Sequence, residues 1–205
     1  MTVLTLTGLS VTRRNRPVLH GIGLTMGPGE FVGLIGPNGA GKSSLMEAAL
    51  GLIPFTGTST LAAMPAAERA RHAAYLPQAR EIAWPVSVED LVALGRIPWP
   101  GSGRSGVDRI AIDAAIARMG LGAFRKRTAL RLFRNLAAEG RAVLASIHDL
   151  GLAARFCTRL VLLSGGHVLA DGPADAVLGD DLLRRAFGIT VRRIDTPDGP
   201  AILPV

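Results

Sequence analysis

Cysteine, lysine and aromatic residues are all scarce in this sequence. Cys157 is the only cysteine in 205 residues, so no intrachain disulfide can form, and a reducing compartment, the cytoplasm, is expected. No uninterrupted apolar run approaches the ~20 residues of a membrane-spanning helix. The basic residues of the opening stretch, MTVLTLTGLSVTRRNR, follow its apolar part instead of preceding it, which is not the order of an export signal. Lysine occurs twice, against 21 arginines, and the net charge is +7. The arginines are scattered from Arg13 to Arg193. Their one cluster, Arg125, Lys126, Arg127, Arg131 and Arg134, has little aromatic interleaving. That pattern describes a solvated basic surface, and no nucleic-acid partner is expected.

What is present is the composition of a soluble globular α/β protein. Apolar residues make up 48% of the chain, with 25 glycines and 13 prolines. Alternation predicts antiparallel strands over 3–7 and 9–12, an extended stretch over 18–26 and a turn at Gly27-Pro28-Gly29. Phe31 to Ile35 is a short apolar strand. A helix is expected from Lys42 to Leu52, ended by Pro54 and Gly57, with Leu45, Met46, Ala49 and Leu52 on one face. Further helices are expected near 64–71, from the capping-box pattern at Ser87 to near Gly95, over 108–119 and over 129–138. Strands are expected at 73–76, stopped by Pro77, and at 143–147. A hairpin is expected to turn at Ser164-Gly165-Gly166, and a last one at Asp198-Gly199.

Between the apolar strand and the first helix lies Gly36-Pro37-Asn38-Gly39-Ala40-Gly41-Lys42-Ser43. It matches the pattern G-x-x-x-x-G-K-[ST] in full and in the required strand–loop–helix context. The glycines let the backbone close round phosphates with its N–H groups inward, and the helix N-terminus adds its positive dipole end. Lys42 is placed to reach the β- and γ-phosphates, and the Ser43 hydroxyl to ligate Mg²⁺. The loop by itself means a nucleoside triphosphate. The chain has no Asn-Lys pair, so it lacks the base-reading motif of a GTPase.

Three stretches, taken in order, resemble the ATP-binding subunits of ABC transporters. GPNGAGKSS at 36–44, which adds Ser44 to the loop, is similar to that family's phosphate loop. Tyr75-Leu76-Pro77-Gln78 is similar to its strand ending in the Q-loop glutamine. Ser146-Ile147-His148-Asp149-Leu150 is similar to its H-loop. Residues 75–99 resemble one branch, the importers of iron–siderophore complexes, haem or cobalamin. The resemblance implies an α/β P-loop NTPase fold: a RecA-like parallel sheet core with an antiparallel β subdomain and a truncated helical subdomain. It implies a single ATP-binding domain over 1–205. Residues 1–80 would form the β subdomain and loop core, 81–128 a partial helical subdomain, 129–190 the rest of the core and 191–205 a tail. It also implies ATP and Mg²⁺. Gln78 would coordinate the metal or position the attacking water, and His148 would contact the γ-phosphate. The implied partners are a second ATP-binding subunit, a transmembrane permease and, indirectly, a periplasmic substrate-binding protein, at the cytoplasmic face of the inner membrane.

Two elements of that family pattern are missing. One is a signature resembling L-S-G-G-Q, and the other an apolar strand ending in Asp-Glu. Gln78 and His148 are 70 positions apart, roughly 40 to 50 fewer than the motif spacing requires. None of Glu81, Glu89, Asp90, Asp108, Asp113 and Glu139 closes an apolar strand. The expected join is near Arg127-Thr128-Ala129-Leu130. Leu163-Ser164-Gly165-Gly166 spells the start of a signature but reads as a hairpin turn, and Asp149 reads as a helix cap. The family often stacks an aromatic on adenine from a position near Arg13-Arg14, where a guanidinium could stack instead. Two readings follow: a shortened form of an ATPase subunit, or a non-hydrolytic nucleotide-binding or interaction protein.

Overall fold

A computed structural model describes residues 2–76, 92–99, 106–118, 129–196 and 199–204. The chain divides into two compact units, residues 1–63 with 129–205, and residues 64–128.

Among the described residues, the larger unit contains three sheets. β1 (Leu4–Arg13) and β2 (Arg16–Met26) form an antiparallel hairpin, with β4 (Thr56–Ser59) on the far side of β1. Arg14 and Asn15 supply the two left-handed positions that a tight two-residue hairpin turn needs. Apolar alternation buries Leu4, Leu6, Leu9 and Val11 of β1 against Leu19, Ile22, Leu24 and Met26 of β2. The second sheet has the order β5-β3-β6-β7, from β5 (Val143–Ser146), β3 (Phe31–Ile35), β6 (Arg159–Ser164) and β7 (His167–Gly172). β3 pairs in parallel with both neighbours. All five of its residues are buried, as its uninterrupted apolar sequence requires. The third sheet is the hairpin of β8 (Val191–Thr196) and β9 (Gly199–Pro204).

Helix α1 (Lys42–Ala49) follows β3. It stops three residues short of the expected Leu52. Gly51, with φ of 64°, is the stop: its N–H reaches the Ala48 carbonyl and that of Leu52 reaches Glu47, both at 2.9 Å. This pair of hydrogen bonds closes the helix before Pro54 is reached, and leaves Leu52 half exposed. In the second unit lie α2 (Ala66–His72), a 3₁₀ turn at Leu94–Arg96 and α3 (Gly106–Arg118). There Arg96 donates to Asp108 at 2.7 Å and lies over the Trp99 ring at 5.1 Å. The strand expected at 73–76 is absent. Ala73 is extended, but no ladder forms over these residues, because a strand needs a partner and none of the described strands pairs with them. β4 was not expected; its Thr-Gly-Thr-Ser sequence has no apolar alternation. The helix opening expected at Ser87 and the join near Arg127-Thr128 lie outside the described residues.

In the larger unit, α4 (Ala129–Ala138) and α5 (Leu150–Phe156) pack against β3, and α6 (Ala174–Val177) and α7 (Asp180–Phe187) against β6. Their apolar faces enclose Phe31, Ile35, Leu160, Leu162 and Leu183. The C-terminal hairpin lies against α5. Gly199 is already paired with Thr196, so it is not a turn residue. Arg159 clamps one corner, with paired bonds to Asp171 at 2.6 and 2.7 Å and one to Glu30 at 3.3 Å. The hydrogen bonds to Asp171 raise its pKa further.

Cys157 lies beneath β3, where a Cβ on Gly33 would come within 2.7 Å of its sulfur. Burial pushes the thiol up to about 12 from 9.0. A raised acid keeps its proton in the fold, so its contribution to stability is complete below pH 9 and is lost as pH rises from there through about 12. Urea unfolding from pH 8 to 10 should show stability falling by less than the ~1.4 kcal/mol per pH unit of a fully buried thiol. Cys157→Ala should show a flatter pH profile. Native labelling by a thiol reagent at pH 8 should be slow, and fast in urea.

Candidate functional site

The site is built at the carboxyl ends of β3 and β5. The chain leaves β3 at Ile35 and turns through Gly36 to Gly41 into α1. Gly36 passes so close to β6 that a Cβ there would sit 2.2 Å from the Leu163 carbonyl oxygen. Gly41, with φ of 98°, is the N-cap of α1, and a Cβ there would meet the Leu19 side chain at 2.4 Å. Both positions therefore require glycine for space as well as for conformation. Ala40 N–H bonds to Pro37 across the loop at 3.2 Å, and Leu45 N–H to Gly41 at 2.8 Å begins the helix.

No side chain caps this N-terminus, and the first turn of α1 has no acidic residue. Its leading N–H groups, which have no helical partner, are left for an outside acceptor, and the dipole favours a negative one. The Lys42 ammonium is folded over the loop, donating to the carbonyls of Gly36 at 2.6 Å and Pro37 at 2.9 Å. Two of its three donors are thus used to hold it over the loop, and the third is left for a ligand. The side chain is largely buried, and this desolvation lowers its pKa. A buried cation above uncapped N–H groups is an arrangement chemically suited to an anion such as a phosphate group. Ser43 is exposed at the same end and offers a hydroxyl; Ser44 is buried.

His148 follows β5 after one residue, Ile147. Ile147 N–H donates to Leu34 at 3.0 Å, which sets the end of β5 level with the end of β3, and β5 also lies against α1. The His148 side chain is exposed. Asp149 is the N-cap of α5 and accepts from Leu152 N–H at 2.8 Å, as its position after the strand suggested. Gly165 and Gly166, both with positive φ, form the turn between Ser164 and His167, so LSGG is a hairpin turn. Gln78 lies outside the described residues. Arg13, beside the expected base-stacking position, is ion-paired with Glu47 of α1.

One contact at this site escaped the sequence reading. The rings of His20 on β2 and His167 on β7 are stacked, 4.7 Å apart and 15° from parallel, and His20 N–H donates to the Gly166 carbonyl at 3.0 Å. This ties the antiparallel sheet to the hairpin beside the loop. No motif marks two histidines 147 positions apart in sequence; only the Gly-Gly turn pointed to the place.

The class of protein that this fold and loop define is a P-loop nucleotide-binding protein. The ABC transporter family model matches residues 19–149, and the chain belongs to that family. It is similar to the hemin import ATP-binding protein of Rhodococcus jostii (strain RHA1), 32% identical, over 93% of this chain and 81% of that one. It is also similar to the hemin import ATP-binding protein of Pseudomonas entomophila (strain L48), 35% identical, over 90% and 92%. The alignment with the Rhodococcus protein is 237 residues long, more than the 205 of the whole chain, so part of it has no counterpart in this chain. In fold it is similar to a solved metal-chelate type ABC transporter in an inward-facing conformation, with a TM-score of 0.80 and 15% identity, covering 100% of this chain and 98% of that one. The chain is an import ATP-binding subunit, of a family that couples ATP hydrolysis to transport with transmembrane partners. Among the described residues, no helix is long and apolar enough to cross a membrane.

The close approach at Gly36 gives a first test of the loop. Gly36→Ala should weaken ATP binding at least about tenfold, ~1.4 kcal/mol, by pushing the loop off β6. It should also lower the melting temperature. Titration calorimetry and thermal unfolding on the same samples would show both.

Proposed function

We propose that the chain binds MgATP at the loop from Gly36 to Ser44 and serves a permease that imports iron–siderophore, haem or cobalamin. The observation that carries this is the uncapped start of α1 with Lys42 fixed over it by two loop carbonyls. Backbone N–H groups of the loop would hold the phosphates, and the third donor of Lys42 would reach the β- and γ-oxygens. The Ser43 hydroxyl suits a hard cation held mainly by phosphate oxygens and water, and Gln78 would complete its protein ligands. Bound Mg²⁺ would neutralise charge on the phosphates. His148, brought to the end of β5 beside α1, would donate a hydrogen bond to the γ-phosphate. The substrate class is supported by the hemin importers to which the chain is similar.

The chain would work as a homodimer on the cytoplasmic face of the inner membrane, docked to its permease and served indirectly by a periplasmic binding protein. One ATP-binding domain would span 1–205, with 81–128 as its partial helical subdomain. Hydrolysis by this 205-residue form would be near background. No Asp-Glu pair stands between Gln78 and His148, so nothing there polarises the attacking water.

Calorimetry with MgATP on the 205-residue protein should show binding that Lys42→Ala weakens by about tenfold or more. Phosphate release should stay far below about 1 s⁻¹. Failure of the unmodified protein to bind MgATP would overturn the nucleotide assignment. Turnover at that rate or above would overturn the loss of hydrolysis alone.

A further inference from the structure

The His20–His167 stack lies where both ends of the phosphate loop are walled in. Leu163, just before the Gly-Gly turn, meets Gly36 by close approach, and the turn itself meets β2. A Cβ on Gly166 would come within 2.5 Å of the Val18 carbonyl oxygen, and one on Gly41 within 3.3 Å of the same oxygen. One peptide of β2 therefore touches the turn on one side and the start of α1 on the other. Two residues further on, His20 closes this contact. Its N–H donates to the Gly166 carbonyl at 3.0 Å, and its ring stacks on that of His167 at 4.7 Å. Both histidines are exposed to solvent.

We propose that His20 and His167 are positioning residues for the phosphate loop, and that protonation of the pair loosens the loop. The inference rests on the nucleotide reading above. Two neutral imidazoles stack, as do a neutral and a charged one, but two imidazolium rings at this distance repel. The packed elements offer nothing to offset the second charge. β1, β2, β4 and β6 carry no carboxylate. Glu47 of α1 is paired with Arg13, and Asp171 of β7 with Arg159. Lys42 is folded over its loop carbonyls, and Arg16 adds positive charge to β2. Asp175, Asp180, Asp181, Arg184 and Arg185 stand on α6 and α7, which follow the far end of β7. Free histidine ionises at pH ~6.5. The closed arrangement is therefore complete at pH 8 and is lost as pH falls into the range where both rings are charged. Parting the rings draws Val18 and Leu19 away from Gly41 and releases the turn that follows Leu163. Both ends of the loop then lose a wall, and the ordering cost of binding rises.

Calorimetry on the full chain should show MgATP binding about fivefold weaker at pH 5.5 than at pH 8, the repulsion of two unit charges at this distance in water. His167→Phe keeps a ring and carries no charge, and should remove that loss. ATP and His148 also titrate, but alike in both proteins, so the difference between the two profiles reads the stack. His20→Ala should bind weakly at both pH values, and His20→Phe should restore the affinity seen at pH 8. Without nucleotide, the protection of the His20 amide against exchange, relative to a free peptide at the same pH, should fall between pH 8 and 5.5 in the wild type alone. If His167→Phe fails to fold, His20→Phe takes its place. Equal pH profiles in wild type and variant would overturn the inference. No MgATP binding at pH 8 would overturn the nucleotide reading. Amide protection that still fell with acid would then uphold the proton-sensitive tie, and unchanged protection would overturn it.

Discussion

The phosphate loop is held by a five-residue strand with no exposed side chain. β3 is flanked on both sides by parallel strands, and its ladder fixes the ends of β5 and β6 at the level where the loop begins. Parallel strands need cover on both faces, and α4, α5, α6 and α7 cover the face that carries Phe31, Ile35, Leu160 and Leu162. With β3 fixed, the direction of α1 and the position of Lys42 follow from a loop too short to wander.

The loop is fixed as much by close backbone approach as by hydrogen bonds. Gly36 lies against the Leu163 carbonyl of β6, and Gly41 against Leu19 of β2. Elements from the antiparallel sheet and from the late part of the chain thus meet at one loop. The His20–His167 stack adds a third tie in the same place. Such a site is formed before its ligand arrives, which lowers the ordering cost of binding.

Much of this was legible in sequence. Phe31 to Ile35 read as a buried strand because an uninterrupted apolar run of that length between turn signals has few other folds. The Gly-Gly hairpin and the Asp149 cap were legible because each rests on local geometry of two to four residues. Where the reading failed, the reason was equally physical. The stop of α1 at Gly51 was passed over for Pro54, although a left-handed glycine closes a helix through its own backbone bonds. The stretch 73–76 has strand-like residues, but a strand exists only with a partner. β4 has almost no apolar signal and is a strand because β1 has a free side.

By itself, the sequence supplied the chemical pattern: a loop whose glycines, lysine and serine suit a phosphate ligand, one thiol with no mate, and no Asp-Glu pair between Gln78 and His148. These depend on residue type and spacing along the chain. Only the tertiary structure decided which distant residues meet. It stacked His20 on His167, paired Arg13 with Glu47, brought Leu163 against Gly36, and left the outer side of β5 bare among the described residues. Those outcomes depend on how elements far apart in the chain pack together, from 34 positions for Arg13 and Glu47 to 147 for His20 and His167, and no local pattern encodes them.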